Sequence, residues 1–130
     1  MLFRSKEFFA ERPLRLLSDG SRLYFTESLP EGVALTQVST QGGETARIPV
    51  PLEDPEVYDI SPIRSELLVT GGAFKGEDRE RPLWIVPLPA GPPHRVGDIL
   101  AHEACWAPDG YHLAFVNDKD LFIEIGRAHV

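Results

Sequence analysis

Three leucines constrain the fold more than any other feature of this chain. Leu23, Leu67 and Leu113 stand 44 and 46 residues apart, and each follows a cluster of turn-forming residues. The fullest copy is Trp106-Ala107-Pro108-Asp109-Gly110-Tyr111-His112-Leu113-Ala114-Phe115. There Pro108 has its φ preset for the first central position of a type I turn. Asp109 suits the second, and Gly110 can take the left-handed conformation that leads into a hairpin. The other copies are Ser18-Asp19-Gly20-Ser21-Arg22-Leu23-Tyr24-Phe25 and Ser61-Pro62-Ile63-Arg64-Ser65-Glu66-Leu67-Leu68-Val69. The first lacks the proline. The second has Ile63-Arg64 in place of Asp-Gly; a left-handed Arg64 would cost about 1 kcal/mol, so that turn is expected to take another form.

A second register agrees with the first. Leu35-Thr36-Gln37-Val38 matches Leu83-Trp84-Ile85-Val86 at a shift of 48 residues, and the same shift brings Gly43 onto Gly91, Arg47 onto Arg95 and Ile48 onto Val96. Leu121-Phe122-Ile123 begins a third copy of that strand. Self-similarity at a period of about 40 to 50 residues, with several strands in each period, is the signature of a propeller blade.

Within each repeat the strands can be named. The innermost are expected at 14–17, 57–60 and 103–106, and the second at 22–27, 66–70 and 112–117. The third are expected at 33–39, 82–88 and from Asp120 onward, and the fourth at 44–50 and 94–97. Continuous apolar runs such as Leu67-Leu68-Val69 suit a sheet covered on both faces. The hairpin between second and third strands varies most: it is short at Asp118-Lys119 and long, polar and solvated from Gly71 to Arg81. Residues 1–13 form an N-terminal extension, compatible with one or two amphipathic helical turns or with the remainder of a preceding strand.

Composition supports an all-β chain. The 12 prolines among 130 residues are about twice the usual proportion, and they are spread along the sequence. Long helices are then hard to place, because each interior proline removes a hydrogen bond and clashes with the preceding turn. The net charge of -7, without a cluster of Lys and Arg, argues against nucleic-acid binding by this segment. A single cysteine, Cys105, excludes an intrachain disulfide and a cysteine-based zinc site. No apolar run approaches the roughly 20 residues that span a bilayer. Charge lies where a signal peptide needs its apolar stretch, so no secretion signal is visible.

The aromatic strand, the Pro-Asp-Gly turn, the following Leu-x-Phe strand and the later Gly42-Gly43 and Gly91-Pro92 links together resemble the TolB-type, WD-repeat-like β-propeller repeat. The resemblance covers nearly all of 14–123. It implies four-stranded antiparallel blades, of which 14–50 and 57–97 would be nearly whole and 103–123 truncated. It also implies a segment of a larger bacterial sensor or regulator, extracytoplasmic if it follows the TolB-type pattern. Such motifs are specific for fold and unspecific for function. The final residues break the repeat: Ile125-Gly126-Arg127-Ala128-His129-Val130 resembles the in-frame translation of a common sequencing adapter, so 124–130 is expected to be an artefactual tail.

No motif for chemistry survives comparison with what that chemistry requires. His102-Glu103 lacks the second histidine of a zinc-peptidase helix, and His94, His102 and His112 fall on different strands or loops. Gly71-Gly72-Ala73-Phe74-Lys75-Gly76 lacks the ending of a phosphate loop, and there is no Gly-x-Ser-x-Gly elbow. Asn117-Asp118-Lys119-Asp120 reads as a hairpin turn and not as a calcium loop. Cys105 is expected to be a buried small residue, Glu77-Asp78-Arg79-Glu80-Arg81 a solvated run, and Trp84 and Trp106 core. No catalytic, cofactor-binding or metal residue is therefore assigned. The expected function is a non-catalytic scaffold whose partner is another protein or the remaining blades of its own propeller. The alternative is the substrate-gating propeller of a prolyl-oligopeptidase-like or dipeptidyl-peptidase-like serine peptidase.

Overall fold

The computed structural model describes residues 15–72, 79–118 and 120–125. They form eleven strands in three antiparallel sheets, with no helix among the described residues. The first sheet holds β1 (Leu17–Ser18), β2 (Arg22–Leu29), β3 (Gly32–Ser39) and β4 (Ala46–Ile48). The second holds β5 (Glu56–Ile60), β6 (Glu66–Thr70), β7 (Arg81–Pro87) and β8 (His94–Ala101). The third holds β9 (Glu103–Trp106), β10 (His112–Asn117) and β11 (Asp120–Ile125). In each sheet the strands pair in chain order.

The expected all-β architecture is present, and the bounds of β6, β9 and β10 coincide with those read from the sequence. Other bounds move for identifiable reasons. β4 stops at Ile48, because Pro49 has no N–H for the ladder and Pro51 follows closely. β8 runs past Gly97 to Ala101: Gly97 takes φ 50°, and an irregularity between Pro82 and Trp84 on β7 lets pairing resume at Leu100 and Ala101. β11 continues through Ile125, which lies opposite His112, so the strand takes in Glu124 and Ile125. The remaining adapter-like residues, 126–130, lie outside the described residues, as do 1–14.

Alternation along β6 explains how the sheets assemble. Leu67 and Val69 point to one face, where with Val57 and Val86 they pack on Tyr24, Leu35 and Ile48 of the first sheet. Leu68 points to the other face, where with Leu83, Ile85 and Val96 it packs on Ala104, Trp106 and Leu113 of the third. The middle sheet is thus buried on both faces. Each fully buried leucine there contributes about 1.5–3 kcal/mol relative to an exposed one. The first strands of the three sheets lie next to one another, β1 against β5 and β5 against β9.

Among the described residues, the third sheet has no such cover on its far side. Leu121 and Ile123 are 67% and 66% exposed. With Cys105, Ala114 and Val116 they form an apolar face directed away from the second sheet. This corrects the expectation for Cys105: alternation along β9 turns Ala104 and Trp106 inward and leaves the thiol on the open side. No helix of the described residues is long and apolar enough to cross a membrane.

Candidate functional site

The turns that begin β2, β6 and β10 lie at one end of the three sheets and differ in how they are built. In the third, the N–H of Gly110 donates to the carbonyl of Ala107 at 2.9 Å, and Gly110 has φ 77°. This is the expected type I turn around Pro108 and Asp109. The Asp109 carboxylate accepts the N–H of Tyr111 at 2.8 Å and pairs with the His112 ring, and these bonds hold it below the usual carboxylate range. In the first turn Asp19 does the same work. It accepts the N–H groups of Ser21 and Arg22 at 2.9 and 2.8 Å and the hydroxyl of Tyr24 at 2.8 Å. Desolvation is the largest single influence and works upward, but those donors together outweigh it and bring Asp19 down to about 2. Desolvation first, and the bond to Asp19 second, push Tyr24 up to about 12.

The second turn takes the different form that the sequence requires. Ser61 Oγ accepts the N–H groups of Ile63 and Arg64 at 3.3 and 3.1 Å, and the N–H of Glu66 donates to the carbonyl of Arg64 at 2.9 Å. Arg64 is not among the residues with positive φ. Ile63, which occupies the position of Asp109, lies across the neighbouring turn: a Cβ on Gly110 would stand 2.4 Å from Ile63 Cγ1. Only glycine accommodates this contact. The seam between the second and third turns is sealed by that wedge.

The seam between the first and second turns is open. There the repeat puts Asp19 where Ile63 would be and Arg64 where Gly110 would be. A groove of about 520 Å³ results, lined by Ser18, Asp19, Ser61, Arg64 and Ser65 among others. A second hollow of about 180 Å³ shares Asp19 and Ser65 with it and is bounded by Arg22, Tyr24 and Gln37. The guanidinium groups of Arg22 and Arg64 make no hydrogen bond or ion pair with any described residue.

A second polar cluster lies along the first strands of the three sheets. Arg15 donates to both carboxylate oxygens of Glu103 at 2.7 and 2.8 Å, to the carbonyl of Tyr58 at 3.2 Å, and sits 5.0 Å above the Tyr58 ring. The bond from Arg15 holds Glu103 below its ordinary range, and Glu103 in turn raises Arg15. Burial pushes Tyr58 up to about 12. Burial, followed by the charges of Asp59 and Glu103, raises the Cys105 thiol, the opposite of what an activated nucleophile needs.

At the opposite end of the sheets the run 77–81 departs from its reading as solvated. Residues 77 and 78 lie outside the described residues, as does most of the glycine-rich loop. Glu80 and Arg81, however, are buried. Glu80 Oε1 pairs with His102 Nδ1 at 2.6 Å and accepts the N–H of Asp118 at 2.9 Å. Arg81 donates to the carbonyls of Asp54, Glu53 and Gly72. Both charges are therefore used to join loops of adjacent sheets. The three candidate histidines stand apart: His102 on Glu80, His112 on Asp109, and His94 opposite Ile85 in β8. Asn117 lies opposite Asp120, so 117–120 is a hairpin, with Asp118 at φ 57°. Trp106 is core, whereas Trp84 is half-buried, donates to the carbonyl of Gly71 at 3.3 Å and lies beneath Arg95.

Compared with known proteins, the chain matches no family model and no curated protein.

Proposed function

We propose that the three sheets are successive blades of a β-propeller of the TolB-like kind, and that this segment is a non-catalytic scaffold for protein contacts. The observation that carries the reading is the middle sheet. It is buried on both faces between two neighbours that repeat its strand order, with the first strands of the three side by side. A blade packed by other blades has this arrangement. The apolar far face of the third sheet extends the same logic. Its Leu121, Ile123, Ala114 and Val116 are the seat of a further sheet of the same repeat. Saturated carboxylates and an unactivated thiol favour a structural over a catalytic use of the polar residues.

The test is the solution behaviour of the 130-residue chain. An uncovered seat makes it self-associate and bind a hydrophobic dye. Leu121→Lys with Ile123→Lys should suppress both while leaving the circular dichroism unchanged. A monodisperse monomer that melts cooperatively and binds no dye would overturn the reading.

A further inference from the structure

We propose that the open groove between the first and second turns binds an acidic peptide segment, with Arg64 and Arg22 each taking a carboxylate side chain. The argument begins with what the two seams share. Both lie between turns of neighbouring repeats, yet Ile63 fills one against Gly110 and no described residue fills the other. The open seam is mixed: Ser18, Ser61 and Ser65 line its larger part beside Ile60, Pro62 and Ile63.

Its charges are unevenly committed. Asp19 keeps its negative charge, with both oxygens occupied by donors of its own turn, and the two arginines outnumber it. The two arginines are exposed and make no ion pair with any described residue, one bordering each part of the groove. An arginine fork matches a carboxylate through two parallel hydrogen bonds, and serine hydroxyls can donate alongside it. Two such forks on one groove suit an extended segment with two separated carboxylates better than one compact anion. The chain as a whole carries a net charge of -7, which disfavours a long phosphate polyanion that would track across it. A short acidic segment meets only the local field, because charge beyond about 8–10 Å is screened at physiological salt.

The inference takes its kind of partner from the scaffold reading, but its geometry needs only two adjacent turns. The experiment is fluorescence anisotropy with labelled hexaglutamate on the full chain, repeated in a Leu121→Gln/Ile123→Gln background, which removes self-association without adding charge. Hexaglutamate should bind in both proteins and weaken with added salt, and hexalysine should not bind. Arg64→Gln and Arg22→Gln should each weaken binding about tenfold, the loss of one charge-assisted pair, and Arg64→Lys should retain part of it. Circular dichroism should be unchanged throughout. The proposal is overturned if hexaglutamate does not bind, if the double arginine variant binds it equally well, or if a single-stranded oligonucleotide binds more tightly. None of those outcomes bears on the apolar face of the third sheet, whose own test is separate.

Discussion

Asp59 in β5 accepts the backbone N–H of Trp106 in β9 at 2.7 Å, so a carboxylate of the second sheet serves a strand of the third. A bulge makes this possible. Pairing between β5 and β6 shifts between Val57 and Asp59, which leaves Tyr58 unpaired and directs Asp59 toward β9. Asp59→Ala would strand the Trp106 N–H at a closed seam. The expected cost is about 1–3 kcal/mol in urea denaturation, with a smaller loss for Asp59→Asn, which keeps an acceptor oxygen. An unchanged midpoint in the alanine variant would contradict a role for this bond.

Leu67 and Leu68 are both 0% exposed but face different neighbours. Replacement of either by alanine should cost about 2–5 kcal/mol. Because each seam depends on the middle sheet, neither variant should leave a separately folded remnant. Two resolved transitions in calorimetry would show that the sheets melt independently.

Gly110 combines a left-handed backbone with the Ile63 contact. Gly110→Ala should therefore lose about 1–2 kcal/mol from conformation alone, with a further steric cost. In an Ile63→Ala background the steric part should vanish, so the two changes will not add. Strict additivity in a double-mutant cycle would mean that the wedge is not felt.

Stability should also respond to acid through Asp19. Its folded value of about 2 lies below the ordinary 3.8, so the carboxylate favours the folded state. That contribution is complete above 3.8 and fades as pH falls toward 2. Asp19→Asn cannot titrate. Its urea midpoint should decline less than that of the wild-type chain across this window, and parallel declines would rule the assignment out.

The repeat was legible because it is written in local chemistry. Proline, Asx and glycine punctuation fixed the turns, and alternation fixed β6, β9 and β10. What was not legible depends on neighbours distant in sequence. Cys105 looks core-like within an apolar strand, and only the sheet packing decides which side of β9 is covered. Glu80 and Arg81 look solvated beside other charges until His102, Asp118 and three carbonyls close around them. The groove was the least visible feature. It arises from Asp19 and Arg64 standing where another seam has isoleucine and glycine, and the repeat alignment alone does not tell which turns touch.

Arg15 has one further consequence. In a linear stack of repeats only nearest neighbours touch. Here Arg15, just ahead of β1, reaches past Tyr58 of β5 to Glu103 of β9, linking the first sheet to the third. One side chain ahead of the first sheet is therefore bonded to the second and the third sheet at once. That guanidinium rests on an aromatic ring, and whatever spreads one seam there must strain the other.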